Sequence, residues 1–366
     1  MKILMICDFF PNKYKPYEGT FFLNHAKVLS KLGKVKVQTL IRVNKFKLSY
    51  EKWNIDNIDV EAIVFFYKVG FGFIFFPLAV IFQFLLTLKN LILFKPDRII
   101  LQMALPHGLA LIPFKFLKKI IILEHSPYII KKSYIAKLVY KFSFGVYALS
   151  NFQKQELENN LKISINGIIP NPVFEFNFNT DNSIKNRIIC VGRILPLKGQ
   201  LVILEVAKML KDIEFILIGE FLEIAKDEFK KFKKMYYEII IKLLKELKNV
   251  RYLGPMTYEE TLKEISNSDF LISTSKYETF GMTIAEALSL GKPVIWTDSG
   301  GPRDFLNEKN SILVKERTPI ALKNAIIQAY EKLKNGYFNP DEIKKSIFEY
   351  CSKDKVLEAY KKALKF

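Results

Sequence analysis

The chain has 366 residues, of which 50% are hydrophobic, and its formal net charge is +19. This length and apolar content can bury two cores, which excludes a small disulfide-stapled module and a disordered chain. Cys7, Cys190 and Cys351 are too widely spaced for a disulfide framework or a zinc cluster, so we expect reduced thiols in a cytoplasmic protein. The opening MKILMICDFF is too short an apolar run for a signal peptide, so no export is expected.

Apolar, strand-like runs alternate with helical patterns along the whole chain. The first half contains KILMIC, VKVQTLIRV, DRIILQM, KKIIILEH and VYALS, and the second half contains RIICVG, IEFILIG, NVRYLG, DFLIST, KPVIWT and SILVK. Such alternation predicts α/β domains built on parallel sheets. An Asn-rich stretch without helical periodicity, residues 173–186, predicts a linker between two of them.

The segment Val69–Leu88 is a run of twenty residues without a charge. It would measure about 30 Å as a helix, the length of a membrane span. A span is disfavoured because the chain then leads directly into DRIILQM, which has the pattern of a central strand in the same domain. Two alternatives stay open: a buried helix of a large core, and a helix that dips into a lipid surface.

Positive charge is concentrated in the first half of the chain. Residues 1–180 hold 24 Lys/Arg and 11 Asp/Glu, whereas residues 181–366 hold 32 and 26. Aromatic residues interleave with a series of lysines there, namely Lys115, Lys118, Lys119, Lys131, Lys132, Lys137 and Lys141. This composition suits either an anionic membrane surface or stacked nucleic-acid bases. No nucleic-acid-binding motif accompanies it, so the membrane is favoured and no nucleic acid is expected.

Two strand–loop–helix segments of the second half carry candidate chemistry. VGRILPLKGQ places Arg193 and Lys198 in a loop after a strand, and both cations can bind phosphate. KYETFGMTIAEALSLGKPVIWTDSGGP places Glu278 in a loop and Glu286 in the helix that follows. The start of that helix favours a diphosphate, because its first N–H groups are unpaired. The sequence has no Asp-x-Asp pair for a divalent cation, so no metal and no cofactor are expected.

Together these segments resemble the donor half of glycosyltransferase family 4 (glycosyltransferases group 1), the retaining GT-B enzymes. The resemblance implies two Rossmann-like, doubly wound parallel-sheet domains that face each other across a cleft. Residues 1–172 would form an acceptor-binding, membrane-associating domain, residues 187–345 would bind the nucleotide sugar, and a helix at 346–366 would cross back to the first domain.

The resemblance also implies roles for individual residues. The catalytic group would comprise Glu278, His125, Arg193 and Lys198. The donor site would comprise Gly19, Arg193, Lys198, Glu278, Phe280, Gly281, Met282, Thr283 and Glu286. His107 and Gln102 would lie near the acceptor. The chain departs from the family at two places: Glu18 precedes Gly19 where two glycines are common, and Ile100 and Gln102 stand where many members have a His-x-His pair.

The activity implied is transfer of a hexose or N-acetylhexosamine, with retention, from a nucleoside diphosphate sugar to a glycan. UDP is favoured over GDP. The apolar, basic first domain favours a lipid-linked acceptor in cell-surface polysaccharide or glycan biosynthesis, and a peripheral location on the cytoplasmic face of the cell membrane. The alternatives are an inverting transferase of the other GT-B lineage, a GT-B epimerase or hydrolase of nucleotide sugars, and a non-catalytic carbohydrate-binding or scaffold protein.

Overall fold

The computed structural model describes residues 1–68, 72–117, 119–126, 133–176, 178, 183–221 and 230–365. The chain forms two compact units: unit 1 is Met1–Pro172 with Lys353–Phe366, and unit 2 is Val173–Ser352. The predicted linker 173–186 therefore belongs to unit 2, where Phe176 packs edge-on against Tyr258 at 5.8 Å between ring centroids. Three of the lysines predicted to meet a membrane, Lys118, Lys131 and Lys132, lie outside the described residues.

Unit 1 is built on a sheet in the order β3-β4-β2-β1-β5-β6-β7-β8. Its strands are β1 (Lys2–Cys7), β2 (Lys34–Val43), β3 (Leu48–Ile55), β4 (Ile58–Phe66), β5 (Arg98–Leu101), β6 (Ile120–Leu123), β7 (Gly145–Ala148) and β8 (Gly167–Ile168). The pairings are parallel except that of β3 with β4. Asp56 and Asn57 join these two strands at φ of 51° and 62°, the conformation of a tight hairpin turn.

Helices cover both faces of this sheet. They are α1 (Thr20–Leu29), α2 (Gly72–Leu93), α3 (His107–Leu111), α4 (Ser133–Phe142), α5 (Asn151–Leu161) and, from the far end of the chain, α12 (Lys353–Leu364). Side chains of α2, α3, α4 and α5 share one buried cluster, and α1 packs against α12. Right-handed crossovers put α2–α5 on the opposite face from α1, because the strand order reverses direction between β4 and β5.

The uncharged segment Val69–Leu88 largely coincides with α2. The helix begins later, at Gly72, and ends later, at Leu93. Residues 69–71 lie outside the described part of the chain. One face of α2 is buried and partly polar: Nε2 of Gln38 donates to Oγ1 of Thr87 at 2.8 Å, and Nδ2 of Asn90 donates to Oε1 of Gln38 at 3.0 Å. The other face is exposed, so the alternative of a wholly buried helix is wrong. Phe75–Leu93 is long and apolar enough to cross a membrane by length and composition alone.

Unit 2 is built on a parallel sheet in the order β11-β10-β9-β12-β13-β14. Its strands are β9 (Arg187–Val191), β10 (Glu214–Ile218), β11 (Val250–Gly254), β12 (Phe270–Ser273), β13 (Val294–Thr297) and β14 (Ser311–Val314). Its helices are α6 (Gln200–Ala207), α7 (Lys230–Glu246), α8 (Tyr258–Ser266), α9 (Met282–Ser289), α10 (Pro319–Lys334) and α11 (Pro340–Cys351). These elements place the ends of β9, β12 and β13 side by side.

The predicted single helix at 346–366 is wrong in its bounds. Residues up to Cys351 complete α11 in unit 2, and α12 begins at Lys353 in unit 1. Ser352 between them has φ −58° and ψ 159°, an extended conformation that stops the helix. Its neighbour Cys351 accepts a 3.0 Å hydrogen bond at its carbonyl from the N–H of Val173. The first and last residues of unit 2 therefore lie beside each other.

Candidate active site

Three loops of unit 2 converge at the carboxyl ends of neighbouring strands. The loop after β12 is tied to the loop after β9, since the N–H of Lys276 donates to the carbonyl of Leu197 at 2.8 Å. It is also tied to the loop after β13, since the N–H of Glu278 donates to the carbonyl of Ser299 at 2.7 Å. Ligands of open parallel sheets bind at such strand ends. Glu278 lies where all three loops meet.

Lys198 and Glu278 form an ion pair, with 2.5 Å between Nζ and Oε1, and both side chains stay partly exposed. The next residue, Gly199, has φ +73°, and a Cβ there would lie 2.5 Å from the carbonyl oxygen of Thr274. A glycine is therefore needed for the Lys198 loop to approach the Glu278 loop this closely. The structure brings together two of the predicted catalytic residues, which are 80 positions apart in sequence.

Arg193 lies in the same loop as Lys198, and its side chain is exposed. Its backbone is fixed, because Nε2 of Gln200 donates to its carbonyl at 2.9 Å. No ion pair joins its guanidinium to any residue in the described parts of the chain. An unpaired, exposed guanidinium on a fixed backbone can bind a phosphate bidentately.

Helix α9 begins at the predicted donor-site residues Met282 and Thr283, both partly exposed. Its N-cap, Gly281, has φ 94° and provides no side chain to cap the first N–H groups. A Cβ on Gly281 would lie 2.7 Å from Cγ of Pro302, so this position also requires glycine. Phe280 is buried against Phe305 and holds the loop in place. The uncapped N–H groups at the start of α9 can therefore bind an anion.

Glu286 lies in the second turn of α9 and is buried. Burial raises its pKa to about 8, although a hydrogen bond from Tyr258 acts in the opposite direction. The carboxyl is therefore mostly protonated at neutral pH in the unliganded protein. In this form it can both donate and accept hydrogen bonds, which suits it to the hydroxyls of a ribose.

His125 follows β6 in unit 1 and is buried. Its Nε2 lies 2.8 Å from Oε1 of Gln102, and its ring packs edge-on against Phe22 and His25, at 4.9 and 5.5 Å between centroids. Burial, with a smaller contribution from His25, holds its pKa well below the ordinary value for histidine. Two predicted site residues, His125 and Gln102, are thus in contact, and the imidazole is neutral.

Gly19 is the N-cap of α1 and has φ 74°. A Cβ at this position would lie 2.8 Å from the carbonyl carbon and oxygen of Phe9. The glycine is therefore required by packing within unit 1. Its proposed contact with a donor phosphate stays a prediction.

His107 takes part in a buried cluster at the carboxyl ends of β1 and β2. Its Nε2 lies 2.9 Å from Oδ1 of Asp8, and both terminal nitrogens of Arg42 donate to the same carboxylate, at 2.6 and 3.3 Å. Burial alone would raise the pKa of Asp8, but Arg42 and His107 hold it well below its usual range. His107 is buried rather than presented at the surface, so any effect on an acceptor would pass through this cluster.

Sequence reasoning missed two partners in this cluster, Asp8 and Arg42, and two partners of His25. Asp8 could have been identified from the sequence, because a carboxylate that interrupts an apolar run at a strand's carboxyl end is a candidate site residue. Asn171 and Tyr360 bond the two ring nitrogens of His25 at 2.8 and 2.9 Å. No local pattern marks them, since they are 146 and 335 positions away.

Known proteins resemble this chain both in sequence and in fold. The family model of glycosyl transferases group 1 matches residues 174–336. An uncharacterized glycosyltransferase of Methanocaldococcus jannaschii, MJ1178, is 24% identical over 95% of this chain and 92% of its own length. The GPI3 subunit of the Saccharomyces cerevisiae phosphatidylinositol N-acetylglucosaminyltransferase is 25% identical over 50% of this chain and 42% of its own.

Among solved structures, Anabaena HepE in complex with UDP and glucose superposes with a TM-score of 0.70. The alignment covers 100% of this chain and 99% of HepE at 17% identity, so it shows that the two proteins share a fold. The fold, the family match over the loops that meet at Glu278 and the relative that spans nearly the whole chain lead to one conclusion. The chain is a glycosyltransferase of GT-B fold, and its residues 174–336 match the group 1 glycosyltransferases.

Proposed function

We propose that this glycosyltransferase moves a hexose or N-acetylhexosamine from a nucleoside diphosphate sugar to a glycan, with retention of configuration and without a metal ion. The observation that supports this best is the Lys198–Glu278 pair beside the uncapped start of α9. Lys198, Arg193 and the first N–H groups of α9 would stabilise the departing diphosphate, because each supplies positive charge where negative charge develops. Glu278 would then bind hydroxyls of the transferred sugar.

We propose that no metal ion is needed because residues of the site supply the positive charge that the leaving group requires. Arg193 and Lys198 supply two cations, and the start of α9 adds about half of an elementary charge. A nucleoside diphosphate leaving group can be neutralised by such a set. Within the described residues, no three His, Cys, Asp or Glu side chains come together in a way that could bind a metal ion.

UDP is the proposed nucleotide, and a lipid-linked glycan the proposed acceptor, in cell-surface polysaccharide or glycan biosynthesis at the cytoplasmic face of the membrane. HepE, which shares the fold, binds UDP. The GPI3 subunit belongs to a transferase that acts on a phosphatidylinositol lipid. These two relatives support the choice of UDP and of a lipid-linked acceptor for this chain.

The donor is tested by a thermal-shift screen against UDP, GDP, ADP and CMP, with and without magnesium. A ligand at a hundred times its dissociation constant stabilises a protein by about 2.7 kcal/mol, which raises the melting temperature by several degrees. We expect stabilisation by UDP that is independent of magnesium and is lost in Lys198→Ala. Stabilisation that needs magnesium would contradict the metal-free donor site, and the absence of any shift would contradict the proposed function.

The stereochemistry is tested on the product once a donor sugar is identified. Proton NMR of the new glycosidic linkage distinguishes the anomers, and we expect the anomer of the donor. The opposite anomer would show an inverting transferase. Release of free sugar without an acceptor would show a hydrolase.

A further inference from the structure

We propose that the outer surface formed by α2, the 3-10 helix Ile112–Leu117 and α4 docks on an anionic lipid surface. This proposal extends the proposed function, because a lipid-linked acceptor would be presented at such a surface. It rests on three features of unit 1, which are an apolar stripe, an adjoining apolar groove and a local excess of positive charge.

The apolar stripe runs along the outer face of α2. Its exposed members are Leu78, Ile81, Leu85, Leu88 and Ile92, which recur at intervals of three and four residues and therefore share one face. Ile81 is 50% exposed and Leu85 is 52% exposed. The helix has 22 residues, so it extends for about 33 Å. An exposed apolar face of this length marks a surface that contacts a partner or a membrane.

The outer face of α2 lacks the polar side chains that an ordinary surface helix exposes. The inner face combines buried polar residues, Gln83, Thr87 and Asn90, with buried apolar ones, Ala79 and Leu86, whereas the outer face is apolar. A surface helix normally exposes polar side chains and buries apolar ones. Here the inner polar groups are bonded within the unit, through Gln38 and through one another. The apolar outer face is therefore not needed for the core of unit 1.

An apolar groove lies beside the carboxyl-terminal half of α2. Its volume is about 530 Å³, and its lining includes Leu88, Ile92, Phe114 and Leu117 together with Lys95 and Lys119. A groove of this size can hold part of an acyl or polyprenyl chain. The two lysines add positive charge to this lining, which suits an anionic headgroup.

Helix α4 continues the surface beyond the 3-10 helix. The two elements are in contact, and Phe84 and Leu91 of α2 pack against the core cluster that contains the buried side chains of α4. Tyr134, Ile135 and Leu138 of α4 are exposed, as is Lys141 one turn further on. Tyrosine and lysine beside exposed apolar residues are typical of a lipid–water interface.

The charge of this layer identifies the partner. Residues 61–155, which include α2–α4, hold twelve Lys/Arg and three acids, Glu61, Asp97 and Glu124, a net charge of +9, and Glu61 is paired with Lys89 of α2 at 2.7 Å. Glu124 is buried, where it accepts hydrogen bonds from Tyr140 and from the N–H of Ala104. An anionic lipid surface complements this charge. A second copy of the same surface would not, because two positive layers repel each other.

The test is flotation of the full chain with vesicles of phosphatidylcholine alone and with 30 mol% phosphatidylglycerol, without nucleotide sugar. We expect binding to the anionic vesicles and at least tenfold weaker binding to the neutral ones. Ile81→Ser/Leu85→Ser should weaken binding to the anionic vesicles at least tenfold. The matched control is Ile320→Ser/Ile327→Ser on α10 of unit 2, which changes two exposed isoleucines and should bind as the wild type does.

The charge component is tested separately with Lys95→Gln/Lys141→Gln. Each lysine near an anionic surface contributes a factor of about five in affinity, so this variant should bind anionic vesicles about 25-fold more weakly. The matched control is Lys309→Gln/Lys334→Gln, two exposed lysines of unit 2, which should change binding less than twofold. Thermal unfolding and the UDP-induced shift of every variant should equal those of the wild type.

Three outcomes would overturn the proposal. They are equal binding to neutral and anionic vesicles, unchanged binding of Ile81→Ser/Leu85→Ser, and a dimer in sedimentation that this variant abolishes while vesicle binding is absent. The last result would identify a second copy as the partner. Because flotation requires no nucleotide sugar, a failure here leaves the donor site untouched. A missing UDP shift with intact vesicle binding would instead contradict the proposed function.

Discussion

The hydroxyl of Tyr360 in α12 donates a 2.9 Å hydrogen bond to Nδ1 of His25 in α1. The other ring nitrogen, Nε2, lies 2.8 Å from Oδ1 of Asn171. Because Asn171 accepts there, Nε2 carries the proton and Nδ1 is free to accept from Tyr360. Burial lowers the pKa of His25 to about 4. His25 is therefore a neutral structural residue that links both ends of unit 1.

Replacing Tyr360 with Phe removes the hydroxyl and leaves a buried acceptor on His25 without a donor. A buried polar group that loses its partner costs about 1–3 kcal/mol. We expect Tyr360→Phe to lower the free energy of unfolding by this amount in urea titrations. The control is Tyr337→Phe at an exposed tyrosine, which should change it by less than about 0.5 kcal/mol. Equal stabilities of the two variants would contradict the role of the hydrogen bond.

Acid should destabilise the protein through its two buried imidazoles. The pKa values of His25 and His125 lie below 6.5 in the folded chain, so the unfolded chain binds more protons once the pH falls below about 6.5. The contribution of the two histidines to the free energy of unfolding therefore falls as the pH falls from 6.5 toward 4. Removing one such histidine reduces the slope by up to about 1.4 kcal/mol per pH unit. His25→Gln should show this smaller slope in urea titrations at pH 7, 6 and 5, and an unchanged slope would contradict the neutral buried state.

Lys198→Ala and Glu278→Gln should each reduce turnover by about 100-fold or more. This is the typical loss when one preorganised electrostatic stabiliser is removed. The measurement is initial-rate kinetics with the nucleotide sugar identified in the thermal-shift screen. The control is Lys208→Ala, which removes an exposed lysine paired with Glu205 at 2.8 Å and should leave turnover unchanged. Near-wild-type rates in Lys198→Ala would argue against the donor site.

Glu286 provides a test that depends on pH. Its folded pKa of about 8 lies above its unfolded value, so the folded chain holds a proton that the unfolded chain loses above about pH 4.5. The group therefore lowers stability progressively between pH 4.5 and 8. Glu286→Gln should be more stable than the wild type by roughly 1–4 kcal/mol at pH 8.5, and by much less at pH 5.

A Glu286→Ala variant should bind the nucleotide sugar about tenfold more weakly, because alanine can neither donate a hydrogen bond to a ribose hydroxyl nor accept one. Calorimetric titration at pH 7 measures this affinity. Unchanged affinity would show that Glu286 is a buried acid with no contact to the nucleotide.

Gly19 and Gly336 form a matched pair for a packing test. Both have positive φ, 74° and 67°, but a Cβ on Gly19 would lie 2.8 Å from Phe9 backbone atoms, whereas a Cβ on Gly336 would meet nothing within 4 Å. Gly336→Ala should cost about 1 kcal/mol of stability, the cost of left-handed backbone alone. Gly19→Ala should cost at least about 2 kcal/mol more, since it also overpacks the site. Equal costs in urea titrations would show that the backbone near Phe9 moves aside freely.

Local sequence patterns predicted most of the fold because parallel strands are buried on both faces and stand out as apolar runs. The start of α9 at Met282 was predicted for a similar reason, since Gly281 precedes an amphipathic pattern. The hairpin of β3 and β4 was missed, although Asp56 and Asn57 are residues that tolerate its turn. The break at Ser352 was not predictable in this way, because neither Gly nor Pro marks it.

The contacts between side chains depend on the tertiary structure. The pairing of Lys198 with Glu278 follows from the neighbouring positions of β9 and β12 in the sheet, which the sequence does not state. The bond between Asp8 and His107 requires β1 and β5 to be neighbours. Sequence reasoning could name these residues as candidates where a strand ended beside them. It could not determine which of them touch.

The position of α12 has a consequence for synthesis on the ribosome. Unit 2 is one continuous stretch, Val173–Ser352, whereas unit 1 lacks α12 until Lys353–Leu364 has emerged. During translation, the hydrogen bond between His25 and Tyr360 therefore cannot form until all of unit 2 has been synthesised. Unit 2 can therefore fold before α12 has emerged, but unit 1, which carries His125, is completed only once Lys353–Leu364 has followed unit 2.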